Sequence, residues 1–414
     1  MDLVKKLFKG DKVIWVIFMF LCLISIIEVF SAASTLTYKS GDHWGPITQH
    51  CVFLLVGTVV VIIVHNIHWR LFQFLPVILL PLSMVLLILV SALGAMTNGA
   101  ARWMNIFGIQ FQPSEIGKMA VILSIALILS RLQGEYEADK RAFRFILIVS
   151  GIICFLIAPE NLSTAMLLFG VSILMMFIGR VPLRQIGKLI AVLVLTAIVA
   201  GGIIMVVPAE KYKDAPMMHR VTTWQGRIKG FFEKKDAVPA AKFDIDKDAQ
   251  IAHANIAIAS SNLIGKMPGN SIERDFLSQA FSDFIFAIII EELGLLGGAF
   301  VVLLYIILLV RTARIARRCE KKFPAFLVMG IALLLVSQAL LNMMVAVGLF
   351  PVTGQPLPLI SKGGTSTLIN CVYIGMILSV SRFMPQSSVN GSQNIATSDE
   401  NPETEKEEET ENMN

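Results

Sequence analysis

Charge is what this chain has least of: Asp, Glu, Lys and Arg make up 16% of its 414 residues, against 55% for the hydrophobic types. Soluble globular chains run at about 25% charged and about 45–50% apolar, so a soluble enzyme of this length is excluded. Cysteine is sparse as well. The five present, Cys22, Cys51, Cys154, Cys319 and Cys371, are odd in number and lie mostly inside apolar runs, so they read as small packing residues rather than a disulfide framework. A net charge of only +5, with its Lys and Arg scattered, excludes a nucleic-acid surface. No internal repeat is visible, which disfavours transporter folds assembled from repeated halves.

Long apolar runs, by contrast, are abundant. A helix needs roughly 20 apolar residues to cross the hydrocarbon layer, and such runs fall near 13–36, 49–66, 72–94, 115–131, 145–158, 162–179, 189–207, 284–310, 324–348 and 365–383. They predict an all-α polytopic membrane protein with about ten transmembrane helices in one body over 13–383. The fifth and sixth runs meet at Ala158-Pro159-Glu160-Asn161, and read equally as two short crossings or one interrupted segment. The first run ends at Ser31-Ala32-Ala33 like a cleavable leader, but its length, its Glu28 and the runs that follow make it a membrane anchor.

Basic residues in short loops set the orientation. With an even number of crossings, one side collects the cluster from Lys5 to Lys12, then Arg70, Arg131, Lys140, Arg180, the group from Arg311 to Lys322, and Arg382. The short loops opposite hold only Lys39, Arg102 and Lys362. Both termini are therefore expected in the cytoplasm, with 1–12 as a short cytoplasmic start. One long extracytoplasmic loop, 208–282, mixes both charges and contains a helical-looking stretch, Gln250 to Leu263. Residues 384–414 turn acidic with nothing apolar to bury, which predicts a disordered cytoplasmic tail.

Ionisable groups in or at the ends of spans are costly, and each marks a candidate site. Arg102 precedes Phe111-Gln112-Pro113-Ser114-Glu115 and Lys118, where Pro113 and Ser114 start a helix and Glu115 suits its positive end. Glu115 and Lys118, three apart, share a helix face. They read either as a self-neutralising pair or, with Arg102, as part of a cationic pocket at the outer leaflet suited to a pyrophosphate. Asp283 opens the eighth span and Glu291, about 80° round the helix from it, lies nearer its face than Glu292 does, so Asp283 is a candidate base and Glu291 a candidate for the same cavity. An ordinary N-terminal helix acid is the competing reading of Asp283. Gly294 and Gly298 read as a close helix contact. Between the last two spans, Leu349 to Ser366 packs three prolines and three glycines, so it cannot be helical throughout and reads as a re-entrant loop lining a site. Within it Gly363-Gly364-Thr365-Ser366 could equally cradle a phosphate or make a plain turn.

On these pieces, Arg102-Trp103, Phe111-Gln112-Pro113-Ser114-Glu115 with Lys118, Asp283-Phe284-Ile285-Phe286 with Glu291-Glu292-Leu293-Gly294, and Pro351-Val352-Thr353-Gly354 with Pro356-Leu357-Pro358, the chain resembles the SEDS family (shape, elongation, division and sporulation proteins), its division type more than its elongation type. The resemblance covers nearly all of the chain from the first to the last span. It implies a peptidoglycan glycosyltransferase that polymerises lipid II at the outer face of the cytoplasmic membrane at the division septum. Its implied partners are a class B penicillin-binding protein, other divisome membrane proteins and membrane lipids. The acid matching Asp283 is the one the family holds essential. Two positions depart from the family's usual pattern: Glu160-Asn161-Leu162-Ser163 stands where Pro-Asp-Leu-Gly is usual, and Lys362 where Tyr is usual.

The implied reaction needs a base facing a cation cluster at head-group depth. The expected roles are Asp283 as general base or divalent-cation (Mg or Mn) ligand, Arg102, Lys118 and Arg220 on the pyrophosphate, and Glu115, Glu160, Glu291, Ser361, Lys362 and Thr365 in support. Trp103 and Trp224 are expected to anchor at the interface or stack on sugar. A lipid II flippase and a non-catalytic division scaffold are the alternative readings.

Overall fold

The computed structural model describes residues 9–32, 45–93, 95–97, 100–106, 109–206, 249–277 and 280–383. Its long helices are α1 (Lys12–Ala32), α2 (Gly45–Asn66), α3 (Leu75–Leu93), α4 (Pro113–Arg131), α5 (Lys140–Ile157), α6 (Leu162–Ile178), α7 (Leu183–Val206), then a short α8 (Ala249–Ser260), α9 (Ile285–Arg318), α10 (Lys322–Ala346) and α11 (Thr365–Arg382). Each apolar run of the sequence has its helix, and the fifth and sixth runs are two helices. Among the described residues six of these are long and apolar enough to cross a membrane by length and composition, with α6 a shorter apolar helix.

Local chemistry sets the helix starts. Pro113 opens α4 in the first turn, where its missing N–H costs nothing. Asp139 caps α5 by accepting from the Arg141 N–H at 2.8 Å, and Asn161 caps α6 by accepting from the Thr164 N–H at 3.2 Å. That Asn161 cap is what divides the fifth and sixth runs.

Hydrogen bonds mark the two ends of the bundle. At one end Asp11, just before α1, takes the Ser381 hydroxyl on its N–H at 2.9 Å and pairs with Arg311 at 2.7 Å, so the start of α1 meets the ends of α9 and α11. The Lys322 ammonium donates to the Gln133 carbonyl at 3.1 Å at that end too. Asp283, Lys362 and Thr365 lie at the other, as alternating passes require. The interior is built from α4, the first half of α9, α10 and α11, whose facing residues such as Ile122, Phe284, Leu334 and Ile377 are fully buried. Leu55, Val77, Phe155 and Leu195 on α2, α3, α5 and α7 stay exposed, the arrangement expected where lipid is the surrounding solvent.

Three findings depart from expectation. A three-stranded antiparallel sheet, β1 (Ala95–Thr97), β2 (Ala100–Ile106) and β3 (Ile109–Phe111), occupies the connection between α3 and α4. Neighbouring strands pair locally there, so no long hydrophobic alternation announces them. Second, the long insertion between α7 and α9 is not loop to its end. Residues 262–274 dock against α9, and α8 coincides with the helical-looking stretch. Third, Gly294 is no helix-contact residue. At φ 73° and ψ −176° it interrupts α9, and the docked segment fills the interruption. The Lys266 and Met267 N–H groups donate to the Glu291 and Glu292 carbonyls at 3.0 and 2.9 Å, and Leu295 and Leu296 donate back to Asn262 and Leu263 at 3.3 and 3.2 Å. Each backbone group released by the break finds a partner, which is the condition for breaking a helix at membrane depth. The expected acidic tail, 384–414, lies outside the described residues.

Candidate active site

Asp283 sits in the turn that leads into α9 and is partly exposed. Its carboxylate accepts from the Ser282 hydroxyl at 3.0 Å, and its backbone carbonyl accepts from the Asn342 amide at 3.0 Å. The Pro/Gly loop 349–364 packs against this turn. Ser361 donates to the Ser282 carbonyl at 2.7 Å, the Lys362 N–H donates to the Phe281 carbonyl at 3.0 Å, and the Lys362 ammonium lies 5.7 Å from the centre of the Phe281 ring. The turn carrying the acid and the loop carrying the lysine are thus stitched together. Burial lowers the Lys362 pKa below that of a free lysine.

The same loop is tied to the membrane interior. Asn342 also donates to the Gln355 carbonyl at 2.8 Å, and Gln338, one turn away on α10, donates to the Pro356 carbonyl at 3.0 Å. Gln338 in turn accepts from Lys118 at 3.1 Å, while Lys118 pairs with Glu115 at 2.7 Å. Four residues along α10 rise about 6 Å, so Lys118 is bonded one turn along α10 from the amide that holds Asp283. It is 1% exposed and bonded to both Glu115 and Gln338, so the Glu115–Lys118 pair forms inside the bundle. Tyr305 donates to the Pro358 carbonyl, and Ser25, bonded to His50 at 2.8 Å, donates to the Ile360 carbonyl at 2.6 Å. Irregular backbone is tolerated here because side chains from three helices, α1, α9 and α10, bond its carbonyls.

The remaining expected residues separate into groups. Thr365, at the start of α11, donates to the Gln110 carbonyl of β3 at 3.2 Å, which brings the sheet to this end of the bundle. Arg102 is on β2 of that sheet, and its side chain lies outside the described residues, as do Arg220 and Trp224 entirely. Trp103, also on β2, is partly buried. Glu160 is buried beside the Asn161 cap, and Gln355 donates to Thr164 in the first turn of α6 at 2.5 Å, so this junction also adjoins the loop.

Glu291 does not line a cavity. It and Glu292 are 0% exposed and clamp the docked segment. Glu291 takes the Lys266 ammonium at 2.7 Å, the Ser271 hydroxyl and the Ile272 N–H at 3.1 Å; Glu292 takes the Ser31 hydroxyl and the N–H groups of Gly269 and Ser271 at 3.1 and 3.2 Å. Arg274 donates to Ser31 at 2.8 Å. Glu28 is buried, and among the described residues neither of its carboxylate oxygens finds a hydrogen-bond partner. Asn342, Gln338 and Gln355 were not picked out by sequence reasoning. Gln338 and Asn342 carried a signal all the same: two amides four apart in an apolar span share a helix face and need partners.

Among the described residues no three His, Cys, Asp or Glu side chains gather as a cation cage. At the Asp283 turn a hydroxyl donates to the carboxylate and an amide to the backbone carbonyl, a setting that suits a single carboxylate base.

A helical bundle with an acid in the turn at one end, a lysine-bearing loop stitched to that turn and a proline-rich stretch buried between helices defines a multi-pass membrane protein with a candidate site at one end of the bundle. The chain belongs to the FtsW/RodA/SpoVE family, whose model, described as "Cell cycle protein", matches residues 11–386. It is 28% identical over 385 residues to "Probable peptidoglycan glycosyltransferase FtsW" of Geobacter metallireducens, covering 92% of this chain and 96% of the relative. To the Alcanivorax borkumensis protein of the same name it is 30% identical, over 86% of this chain and 89% of that one. Among solved structures, one described as "Structural coordination of polymerization and crosslinking by a peptidoglycan synthase complex" matches with TM-score 0.70 at 22% identity, over 91% of this chain and 99% of that one. The rod shape determining protein RodA of Thermus thermophilus matches with TM-score 0.61 at 21% identity, over 91% and 98%. These two likenesses establish the fold.

Proposed function

We propose that this protein is a peptidoglycan glycosyltransferase that polymerises lipid II at the outer face of the cytoplasmic membrane during cell division, with both termini cytoplasmic and a class B penicillin-binding protein as partner. Other division membrane proteins and the septum complete the proposed setting. The observation that carries this reading is the fastening of the Asp283 turn to the Lys362 loop at the outer end of the bundle. The turn that carries the base is thereby fixed to the loop that carries the cation. The names of the division relatives supply the substrate class.

In the proposed reaction the acceptor's GlcNAc 4-hydroxyl attacks the anomeric carbon of the lipid-linked donor. Asp283 takes the hydroxyl proton as the new C–O bond forms, and the bond from the anomeric carbon to the pyrophosphate breaks. Undecaprenyl pyrophosphate leaves with the electron pair, and the anomeric centre inverts to a β-linkage. Arg102, Arg220 and Lys118 serve the leaving pyrophosphate. Lys118 does so by exchanging its bond to Gln338 for a phosphate oxygen, and Lys362 adds positive charge beside Asp283. Glu115, Glu160, Ser361 and Thr365 hold the frame, and Glu291 the half-helix that Asp283 begins. A flippase needs a polar path through the bundle, and the deep carboxylates Glu28, Glu291 and Glu292 are all closed off from solvent, which supports that alternative less.

The test is reconstitution with the partner and lipid II. Asp283→Asn should lower the rate of glycan polymerisation by about 10²–10⁴-fold, the usual worth of a general base. Polymer made at the normal rate would remove Asp283 from the chemistry.

A further inference from the structure

The docked segment 262–274 presents a row of apolar side chains outward that no described residue covers: Leu263 is 60% exposed, Ile264 67% and Met267 60%, with Ile272 and Phe276 exposed beyond them. Alternate positions point the other way. Lys266 folds back onto Glu291 at 2.7 Å and Ser260 at 2.9 Å, and Ser271 is buried on the carboxylate clamp. The segment is two-faced although it is not a helix.

Its height in the bilayer follows from α9. The bond from the Leu296 N–H to the Leu263 carbonyl, 3.2 Å, sets Leu263 level with Leu296. From Leu296 down to Arg311, the first of the basic residues at the end of α9, the helix rises about 22 Å. Arg311 is paired with Asp11 at the end of the bundle where α1 begins. A hydrocarbon layer of about 30 Å measured from Arg311 therefore encloses Leu296 and Leu263 with several ångströms to spare. Leu295 and Leu296, 52% and 57% exposed, continue into the outward-facing Phe300 and Leu303 of the same helix, so the apolar row of the segment is continuous with a lipid-facing surface.

We infer that residues 263–267 form a membrane-embedded wedge whose Leu263, Ile264 and Met267 side chains lie among the acyl chains of the outer leaflet, and that the occupant of this face is lipid. The non-helical backbone is held at that depth by four bonds across the Gly294 break, from the N–H groups of Lys266 and Met267 and to the carbonyls of Asn262 and Leu263. The long extracytoplasmic insertion is thereby anchored in the bilayer close to where it returns to the bundle, which fixes its distance from Asp283 independently of any partner.

The experiment uses the full chain in nanodiscs of phosphatidylethanolamine and phosphatidylglycerol, with and without phosphatidylcholine brominated midway along its acyl chains. Single tryptophans are introduced as Ile264→Trp and, as a second reporter should that variant misfold, Leu263→Trp. Leu303→Trp marks the lipid-facing helix, and Tyr136→Trp the exposed loop at the opposite end. The fluorescence gained over the parent protein should fall at least twofold in brominated lipid for Ile264→Trp and Leu303→Trp, and stay unchanged for Tyr136→Trp. Acrylamide should quench only Tyr136→Trp strongly. If Ile264→Trp and Leu263→Trp follow Tyr136→Trp, the wedge lies in water and the inference fails. If neither quencher reaches them, protein covers the face, a second copy or another chain, and the inference fails equally.

Discussion

Gly265 and Gly269 share a left-handed backbone, at φ +82° and +88°, but their surroundings differ. A Cβ on Gly265 would sit 2.3 Å from the Gly294 nitrogen and 2.4 Å from the Glu292 oxygen, whereas one on Gly269 would meet nothing within 4 Å. Alanine at either position costs about 1–2 kcal/mol for its backbone conformation alone. At Gly265 the obstructing atoms are backbone, so no side-chain rotation relieves the overlap. The segment has to lift away from the α9 break and give up the four backbone hydrogen bonds that join them, at about 1 kcal/mol each. The expected totals are about 5–6 kcal/mol for Gly265→Ala and about 1–2 kcal/mol for Gly269→Ala. That difference corresponds to roughly a thousandfold change in the docked population. Thermal melting of the two purified variants in one detergent, with limited proteolysis across 261–277, reads both. Equal melting, or a Gly265→Ala segment as resistant to protease as wild type, would refute the claim that backbone contact at Gly294 holds the segment in place.

Three further outcomes follow from the site. Lys118→Met leaves Glu115 buried without its cation and should destabilise by about 3–5 kcal/mol, while adding Glu115→Gln should recover much of the loss; a double-mutant cycle with no coupling would dissolve the pair. Asn342→Leu removes the donor to the Asp283 and Gln355 carbonyls, at about 1–3 kcal/mol, and should lower kcat for polymerisation more than it raises KM; a change in KM alone would show that Asn342 does not position the acid. Lys362 has its folded pKa lowered from 10.5 by burial, so the native state binds this proton less readily than the unfolded chain. Wild type should therefore gain stability relative to Lys362→Met as pH rises from the lowered pKa toward 10.5, and below that window the gap should be constant. A melting difference independent of pH throughout would contradict the burial.

The helices were legible because a span needs only length and apolarity, and both are local. All ten apolar runs from 13–36 to 365–383 became helices. Asp283 stood out as a candidate because an ionisable residue at the head of an apolar run is costly. What could not be read was pairing. On a continuous helix Glu291 would lie only about 80° round from Asp283, yet it faces Lys266 and Ser271, because Gly294 breaks the helix and admits a segment from upstream. The sheet that carries Arg102 escaped notice for a related reason: its two outer strands are three residues long, too short to show alternation.

Composition alone therefore decided that this chain lives in a bilayer with its ionisable groups gathered at few places, since apolar length and the cost of burying charge are properties of each segment by itself. Which groups meet was decided only on folding. Gln338 and Asn342 become the bridge between Lys118 and Asp283, and Glu291 with Glu292 becomes a clamp, because hydrogen-bond partners at membrane depth have to come from neighbouring helices, and helix adjacency is not written in the order of the chain.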